Sequence, residues 1–327
     1  MRVLITGGAG FIGSHLTEKL LSLGWNVTCI DDLSTGSIDN LSAVRDNARF
    51  LFYADTIFNR RLTTNLISDA DVVFHLAAAV GVKRIVDFPV QTIETNVEGT
   101  EIVLEAAAAR KKRIFIASTS EVYGKSTKIP FSENDDLVLG STYNSRWAYA
   151  CSKAIDEFLA LAYHREKDLP VTLVRFFNTV GPRQTGRYGM VLPNFVRQAL
   201  LHQPVTVYGS GEQTRCFGHV SDIIQGLLLL LDNNRTVSEI FNLGNTEEIS
   251  INNLARKVIA ACDSRSEIVH VPYSEAYGPG FEDMFRRVPD ISKAREWLGY
   301  EPCVNLDAII QSVVEYERVA AAAREAV

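Results

Sequence analysis

A tyrosine and a lysine four residues apart are the first side chains in this 327-residue sequence that could do chemistry together. Tyr149 and Lys153 lie in a stretch with helical periodicity at 148–161, so both project from one face of the predicted helix. A phenol ordinarily has a pKa of about 10, and a nearby ammonium lowers that pKa. The pair therefore predicts a phenolate that can act as a base near neutral pH.

A short polar stretch supports a catalytic role for this pair. Ser118, Thr119, Ser120 and Glu121 directly follow an apolar run at 113–117 that is typical of a buried strand. The carboxyl end of a parallel strand is where folds of this kind place ligand chemistry. The stretch therefore favours a catalytic pair over a pair on the protein surface.

Three glycines near residue 10 have the spacing of a dinucleotide-binding turn. Gly7, Gly10 and Gly13 follow a predicted strand and open a predicted helix, which is the context that this motif requires. They would permit a tight turn, a close approach to a pyrophosphate at the positive end of the helix dipole, and helix–strand packing. Asp31 ends the second predicted strand, where a carboxylate can bind the adenosine ribose. Because that charge repels a 2′-phosphate and no arginine immediately follows, the sequence favours NAD over NADP.

Short apolar runs alternate with amphipathic stretches in the first half of the chain. Strands are predicted at 2–6, 26–30, 71–76, 113–117 and 171–176, and helices at 14–23, 92–110 and 148–161. This alternation predicts an α/β fold, a Rossmann-type doubly wound parallel sheet that is covered on both faces.

The sequence changes character after residue 177. Glycines, prolines and scattered basic residues predict a smaller region of loops and short elements. Apolar segments at 223–231 and 240–243 predict a return to the first sheet. We therefore predict an NAD-binding domain at 1–177, with an interleaved return around 218–245, and a C-terminal substrate-binding region at 178–327.

The composition argues against several classes of function. The net charge of −6 gives no overall electrostatic reason to bind nucleic acid or an anionic membrane. The five cysteines are widely spaced without a C-x-x-C, so we expect neither a zinc site nor a disulfide framework, and no other metal. No signal peptide precedes the first apolar run, and the longest apolar stretch, at 227–231, is too short to span a bilayer. We expect a cytoplasmic protein.

Motifs along nearly the whole chain resemble those of one enzyme family. They are TGGAGFIGSHL at 6–16, DDLSTG at 31–36, HLAA at 75–78, STSEVYG at 118–124, YACSK at 149–153, RFFNTVGPR at 175–183, VYGSGEQTR at 207–215 and RRVPD at 286–290. In these motifs the chain is similar to the extended short-chain dehydrogenases/reductases of the nucleotide-sugar epimerase/dehydratase type. The resemblance implies an NAD-dependent enzyme that oxidises C4 of a UDP-sugar to a transient 4-keto sugar, and a nucleotide-sugar-binding region at 178–327.

The same resemblance implies four catalytic residues. Tyr149 would take the proton from the sugar 4-hydroxyl while NAD takes the hydride from C4, and Thr119 would share the hydrogen bond to that hydroxyl. Lys153 would hold the nicotinamide ribose and tune Tyr149. Glu121 would orient the sugar or handle a proton.

The resemblance also implies the residues that contact each ligand. Asn178, Arg215 and Arg287 would contact the nucleoside diphosphate, since guanidinium groups bind phosphate in a bidentate manner. The other substrate contacts would be Lys83, Ser120, Arg183, Leu192, Val207, Tyr208 and Asp290. The NAD contacts would be Gly7, Gly10, Phe11, Ile12, Gly13, Asp31, Asp32, Ser34, Thr35, Gly36, Asp55, Thr56, Leu76, Ala77, Ala78, Asn96, Ser118, Tyr149, Lys153 and Phe176.

The residues after Thr119 bear on which reaction follows the oxidation. The dehydratases of this family carry Thr-Asp-Glu and use the aspartate as an acid, whereas this chain has Ser120, a poor general acid. The order Thr-Ser-Glu is similar to that of the UDP-glucuronate decarboxylases, in which the 4-keto sugar is a β-keto acid that can lose carbon dioxide. The loop at 78–84 instead resembles epimerases, in which a basic residue near Lys83 holds the carboxylate.

Decarboxylation of UDP-glucuronate to UDP-xylose is therefore the leading prediction. The main alternative is a UDP-sugar 4-epimerase acting on UDP-glucose, UDP-galactose or UDP-glucuronate. A 4,6-dehydratase and a non-catalytic sensor of nucleotide sugars are weaker alternatives. The helical segments at 92–110 and 149–163 resemble those that form a four-helix homodimer interface in the family, although they could simply cover the sheet.

Overall fold

A seven-stranded parallel sheet is the centre of the molecule. The computed structural model describes residues 1–186, 189–277 and 282–325, without the side chains of 82–84 and 323–325. The strands in these residues are β1 (Arg2–Thr6), β2 (Asn26–Asp31), β3 (Phe50–Ala54), β4 (Val72–His75), β5 (Arg113–Thr119), β6 (Val171–Phe176), β7 (Thr179–Val180), β8 (Val205–Tyr208), β9 (Thr214–Cys216), β10 (Gly218–His219), β11 (Ile240–Leu243), β12 (Glu248–Ser250), β13 (Ile268–Val271) and β14 (Arg286–Arg287). The α-helices are α1 (Phe11–Ser22), α2 (Arg60–Asp69), α3 (Val82–Asp87), α4 (Pro89–Ala109), α5 (Ala148–Lys167), α6 (Val191–Leu200), α7 (Val220–Leu231), α8 (Ile251–Ala261), α9 (Tyr273–Tyr277), α10 (Ser292–Leu298) and α11 (Leu306–Glu325).

The strand order of the large sheet is β11-β6-β5-β4-β1-β2-β3, and every neighbouring pair is parallel. The register places Ile5 of β1 opposite Cys29 of β2 on one side and Phe74 of β4 on the other. The chain runs outward in both directions from the boundary between β1 and β4. Such a reversal leaves a crevice beyond the carboxyl ends of the strands, where ligands bind in this fold. The predicted Rossmann-type α/β fold is confirmed.

Both faces of the sheet are buried, which explains the uninterrupted apolar runs in its strands. Val3 and Ile5 belong to the core between the sheet and helices α1 and α7. Leu4, between them, points to the opposite core, formed with helices α2, α4 and α5. Because successive strand residues point to opposite faces, a single strand supplies both cores.

Strand β3 and helix α2 are among the elements of the first half that were not predicted. Strand β3 lies at the edge of the sheet, and Leu51 within it is 58% exposed, so its sequence lacks a fully buried pattern. Helix α2 buries only Thr63, Leu66 and Ile67 of its ten residues, which gives a weak apolar stripe. Both elements interrupt the interval between the predicted strands at 26–30 and 71–76.

The C-terminal half contributes to both parts of the molecule. Helix α7 packs on the first core, and β11 pairs with β6 at the sheet edge. A separate core beneath helices α6, α8 and α11 contains Phe195, Leu254 and Val313. This second part presents β9, paired with β12 and β14, towards the crevice. Within the described residues, no helix is long and apolar enough to cross a bilayer.

Candidate active site

A cavity of about 1010 Å³ lies along the carboxyl edge of the large sheet. It extends from the glycine turn after β1, past the ends of β4 and β5, to side chains on β8, β9 and β14 of the second part. The two parts of the chain therefore form its opposite walls. Its position is the crevice that the strand order predicts.

The glycine turn leaves its backbone open towards this cavity. Gly7 has φ +74°, and a Cβ there would lie 2.7 Å from the backbone nitrogen of Ala77. A Cβ at Gly13 would lie 2.2 Å from the carbonyl oxygen of Gly7, so helix α1 could not pack so closely. Gly10 at the N-cap has no side-chain acceptor for the first amides of α1. Those amides are suited to an anionic ligand such as a pyrophosphate.

A fixed carboxylate stands at the end of β2. Asp31 accepts hydrogen bonds from the backbone nitrogens of Ala9 at 2.9 Å and Leu33 at 2.8 Å, which orient its side chain beside the glycine turn. Burial raises the pKa of this carboxyl, and these hydrogen bonds oppose the rise. Asp31 lines the cavity, so a ribose hydroxyl could reach it.

The Tyr149 phenol and Lys153 both line the cavity from helix α5, as their spacing predicts. The expected effect of the lysine on the phenol stays a prediction, because the ammonium has another partner in the ligand-free structure. The Lys153 ammonium donates to Asp156 Oδ2 at 2.6 Å, one helical turn further along. Burial, with the negative charge of Glu121 second, raises the pKa of Tyr149 above its ordinary value, and a hydrogen bond from Thr119 opposes the rise. The phenol is therefore protonated in the ligand-free protein.

Five charged side chains meet in the same cavity as Tyr149, and we call them the buried charge cluster. Its members are Glu121, Arg146, Arg215, Asp283 and Arg287. Glu121 pairs with Arg146 and, at 3.5 Å, with Arg287. Asp283 lies 2.7 Å from Arg215 Nη2 and 3.6 Å from Arg146 Nη2. All five line the cavity, and three guanidinium groups against two carboxylates leave one positive charge in excess.

Electrostatics fix the protonation of the cluster. Burial disfavours the charged form of Glu121, but the charges of Arg146 and Arg287 hold its pKa below the ordinary value. Burial lowers the pKa of Arg287 to about 10, so this guanidinium remains charged at neutral pH. Glu121 is therefore an ionised hydrogen-bond acceptor beside the phenol rather than a proton donor.

Most of the predicted contact residues line the cavity. They are Gly7, Gly10, Phe11, Ile12, Gly13, Asp31, Asp32, Ser34, Thr35, Gly36, Asp55, Thr56, Leu76, Ala77, Ala78, Ser118, Thr119, Ser120, Glu121, Tyr149, Lys153, Phe176, Asn178, Arg183, Leu192, Tyr208, Arg215 and Arg287. Their roles towards particular ligands stay predictions. The side chain of Lys83 lies outside the described residues.

Three predicted contacts are placed elsewhere by the structure. The side chain of Val207 is fully buried in the core of the second part. Asp290 accepts from the backbone nitrogen of Ser292 at 2.9 Å, in the turn that leads into helix α10. Asn96 is buried and accepts from the backbone nitrogen of Ala79 at 2.8 Å, so it positions a cavity loop from behind.

Arg146 and Asp283 were not predicted from the sequence. Arg146 is 2% exposed and lies three residues before Tyr149, a spacing that could have placed it beside the phenol. Asp283 follows a stretch without apolar periodicity, so no sequence signal placed it between three arginines. Only the folded chain shows that these residues share one site.

Comparison with known proteins identifies the family of this fold and cavity. A family model described as GDP-mannose 4,6 dehydratase matches residues 4–313. The chain belongs to this family. Its predicted resemblance to the nucleotide-sugar epimerases and dehydratases is thereby confirmed.

The similar proteins are named as decarboxylases or epimerases of UDP-linked uronic acids. The chain is 42% identical to a UDP-N-acetyl-alpha-D-glucosaminuronate decarboxylase of Bacillus cytotoxicus, over 97% of this chain and 98% of that protein. It is 39% identical to UDP-glucuronic acid decarboxylase 1 of Xenopus tropicalis, over 97% of this chain and 72% of that protein. The solved UDP-glucuronic acid 4-epimerase of Bacillus cereus, in complex with UDP-glucuronic acid and NAD, superposes with a TM-score of 0.88 at 30% identity. That superposition covers 98% of this chain and 100% of the epimerase chain.

Proposed function

We propose that this family member is an NAD-dependent decarboxylase of a UDP-linked uronic acid, which it first oxidises at C4. The observation that carries this proposal is the excess positive charge of the buried charge cluster beside Tyr149. A buried uncompensated charge is costly, and an anionic ligand group would balance it. A uronate has a carboxylate on C5, next to the carbon that is oxidised, whereas a neutral hexose does not.

The residues present fit NAD. Substituents at Gly7 and Gly13 would close the turn, the first amides of α1 have no side-chain acceptor at the N-cap, and Asp31 is fixed where a ribose would lie. NAD, when bound, accepts the hydride from C4 and later returns it. Other proteins with a doubly wound α/β sheet bind their dinucleotide in the same crevice.

The side chains around Tyr149 can divide the remaining work. Tyr149 removes the 4-hydroxyl proton, with Thr119 sharing the hydrogen bond, and returns a proton at the end. Once C4 is a ketone, the C5 carboxylate belongs to a β-keto acid, and carbon dioxide leaves as the ketone accepts the electron pair. The resulting enolate takes a proton at C5, which restores the C4 ketone for the return of the hydride. Ionised Glu121 and Arg287 hold the sugar face, and Ser120 Oγ, buried without a hydrogen-bond partner among the described residues, can bond to it.

Two other substrates or outcomes have specific support. The Bacillus cytotoxicus relative is named for a 2-acetamido uronate. The substrate of this chain could therefore have either a hydroxyl or an acetamido group on C2 of the sugar. The Bacillus cereus neighbour is named as a 4-epimerase, which would return the hydride to the other face of C4 without losing carbon. These alternatives share the C4 oxidation and differ in their products.

Product analysis tests the proposal. The protein is incubated with NAD and, separately, with UDP-glucuronate and UDP-N-acetylglucosaminuronate labelled with ¹³C in the carboxyl group. We expect labelled carbon dioxide and a pentose nucleotide from one of them. A product of unchanged mass with inverted C4 would replace the decarboxylase with the epimerase. Turnover of UDP-glucose at a comparable rate would remove the argument from charge.

We also propose that helices α4 and α5 form a homodimer interface. Val90 and Ile93 on α4, and Ile155 and Phe158 on α5, are exposed, with Phe158 at 65%. The two helices pack against each other, so their apolar side chains form one surface. Sedimentation of the protein and of Phe158→Glu tests this. We expect a dimer that the substitution dissociates, and a monomeric unmodified protein would contradict it.

A further inference from the structure

Asp156 is a buried carboxylate to which the chemistry above assigns no part. It accepts a hydrogen bond from the Lys153 ammonium at 2.6 Å, and neither side chain is more than 2% exposed. Lys153 lines the cavity, whereas Asp156 lies behind it on the same helix. A carboxylate at hydrogen-bond distance cancels most of the positive potential that the ammonium would exert on its other neighbours. Asp156 therefore neutralises the charge of Lys153, the lysine that is expected to activate the phenol.

We infer that Asp156 is a positioning residue that neutralises Lys153 and thereby withholds its positive charge from the Tyr149 phenol in the ligand-free protein. Its consequence for turnover rests on the proposed function, but its effect on the phenol does not. A ligand group that draws the ammonium away from Asp156 would free its charge for Tyr149. Base activation would then be tied to occupancy of the cavity.

Asp156 is one of several influences that keep the Tyr149 phenol protonated. Burial raises the pKa of Tyr149 most, the charge of Glu121 raises it further, and Asp156 adds to the rise. Arg146 lowers it, but Arg146 is paired with Glu121. Asp156 is thus the acid that can be removed without breaking the buried charge cluster.

The groups around Asp156 from neighbouring elements are neutral or balanced. Thr100 on α4 hydrogen-bonds to it. His75 on β4 is uncharged at neutral pH, because burial lowers its pKa to about 3. Glu157, the next residue, is paired with Arg175 of β6 at 2.6 Å. Lys153 is therefore the cation that responds when Asp156 changes.

Nuclear magnetic resonance of the ligand-free protein tests the inference directly. Tyrosine is labelled with ¹³C at Cζ, and the Tyr149 resonance is assigned by its loss in Tyr149→Phe. We expect Asp156→Asn, which keeps the size of the side chain, to move the titration of this resonance downward by about one pH unit or more. Asp156→Ala is the second variant, and it should move the titration in the same direction.

Matched controls separate electrostatics from folding. Asp168→Asn makes the same chemical change in the exposed pair with Lys111 and should leave the Tyr149 titration unchanged. An unshifted Tyr149 titration in folded Asp156→Asn and Asp156→Ala, shown by cooperative melting, would overturn the inference and leave Asp156 a structural residue. In turnover, the acid limb of the kcat/KM profile should shift downward by the same amount. Failure of the unmodified protein to release carbon dioxide would overturn the proposed function alone.

Discussion

The two charged sites beside Tyr149 are built in different ways. Lys153 and Asp156 lie one turn apart on a single helix, and their charges cancel. The buried charge cluster takes its five side chains from four segments of the chain and keeps one positive charge. Because Lys153, Asp156 and Tyr149 all lie on helix α5, the pair can influence the pKa of the phenol without contributions from other segments. A cluster shared between both parts exists only when the cavity is assembled, and its excess charge is available to a ligand.

Removing the phenol, which charges of both sites influence, should have the largest effect. Tyr149→Phe deletes the oxygen that moves the proton, so we expect kcat to fall by about 10²- to 10⁴-fold. NAD affinity, measured by calorimetry, should be retained. Tyr143→Phe is the control, because Tyr143 is 98% exposed. Unchanged turnover in Tyr149→Phe would mean that another group moves the proton.

The buried charge cluster should contribute more to stability than an ion pair on the protein surface. Arg146→Met leaves Glu121 buried without its strongest partner, and we expect the free energy of unfolding in urea to fall by about 3–5 kcal/mol. Lys111→Met is the matched control, since the side chains of Lys111 and Asp168 are 64% and 83% exposed, and it should cost at most about 1 kcal/mol. Equal losses would mean that the cluster contributes no more than a surface pair.

The sequence predicted those parts of the molecule whose signals are local. Strands β1 and β6 have the predicted bounds, because both are buried on two faces and read as continuous apolar runs. The glycine turn and the Tyr149–Lys153 spacing are also local, and the structure brings both to the cavity. Strand β3 was missed because an edge strand has no such run.

Long-range partners could not be predicted in the same way. Asp283 joins three arginines that are separated from it by between 4 and 137 positions in the chain. Val207 was misplaced because a strand alternates its faces, and only the packing of the second part decides which face is buried.

Asp31 is a third kind of charged group in the cavity. Its hydrogen bonds come from backbone amides, whereas Asp156 and Glu121 accept hydrogen bonds from cationic side chains. Its carboxylate is held by two backbone amides, so its charge is free to discriminate between cofactors. Asp31→Ala should weaken NAD binding by about 1.5–3 kcal/mol, the usual worth of hydrogen bonds to a charged group. The preference for NAD over NADP, measured by fluorescence titration, should narrow. Asp46→Ala, at an exposed position, is the control, and an unchanged preference in Asp31→Ala would reject the ribose assignment.

His75 gives an effect that depends on pH, and it probes the Lys153 side of the comparison. Burial, with the charge of Lys153 second, lowers the pKa of His75 to about 3, from 6.5. Between these values the unfolded chain binds a proton that the folded protein does not. The contribution of His75 to stability is therefore complete above about pH 6.5 and is lost on acidification by about 1.4 kcal/mol per pH unit.

His75→Gln removes this titration while keeping hydrogen-bonding atoms for Thr6 and Thr100. Urea unfolding between about pH 6 and about pH 4 should show a shallower loss of stability in this variant, by close to one proton. His202→Gln, on the exposed surface, should follow the unmodified protein. Parallel slopes for His75→Gln and the unmodified protein would mean that His75 is protonated in the fold. The ammonium of Lys153 would then be screened even more completely by Asp156 than their contact indicates.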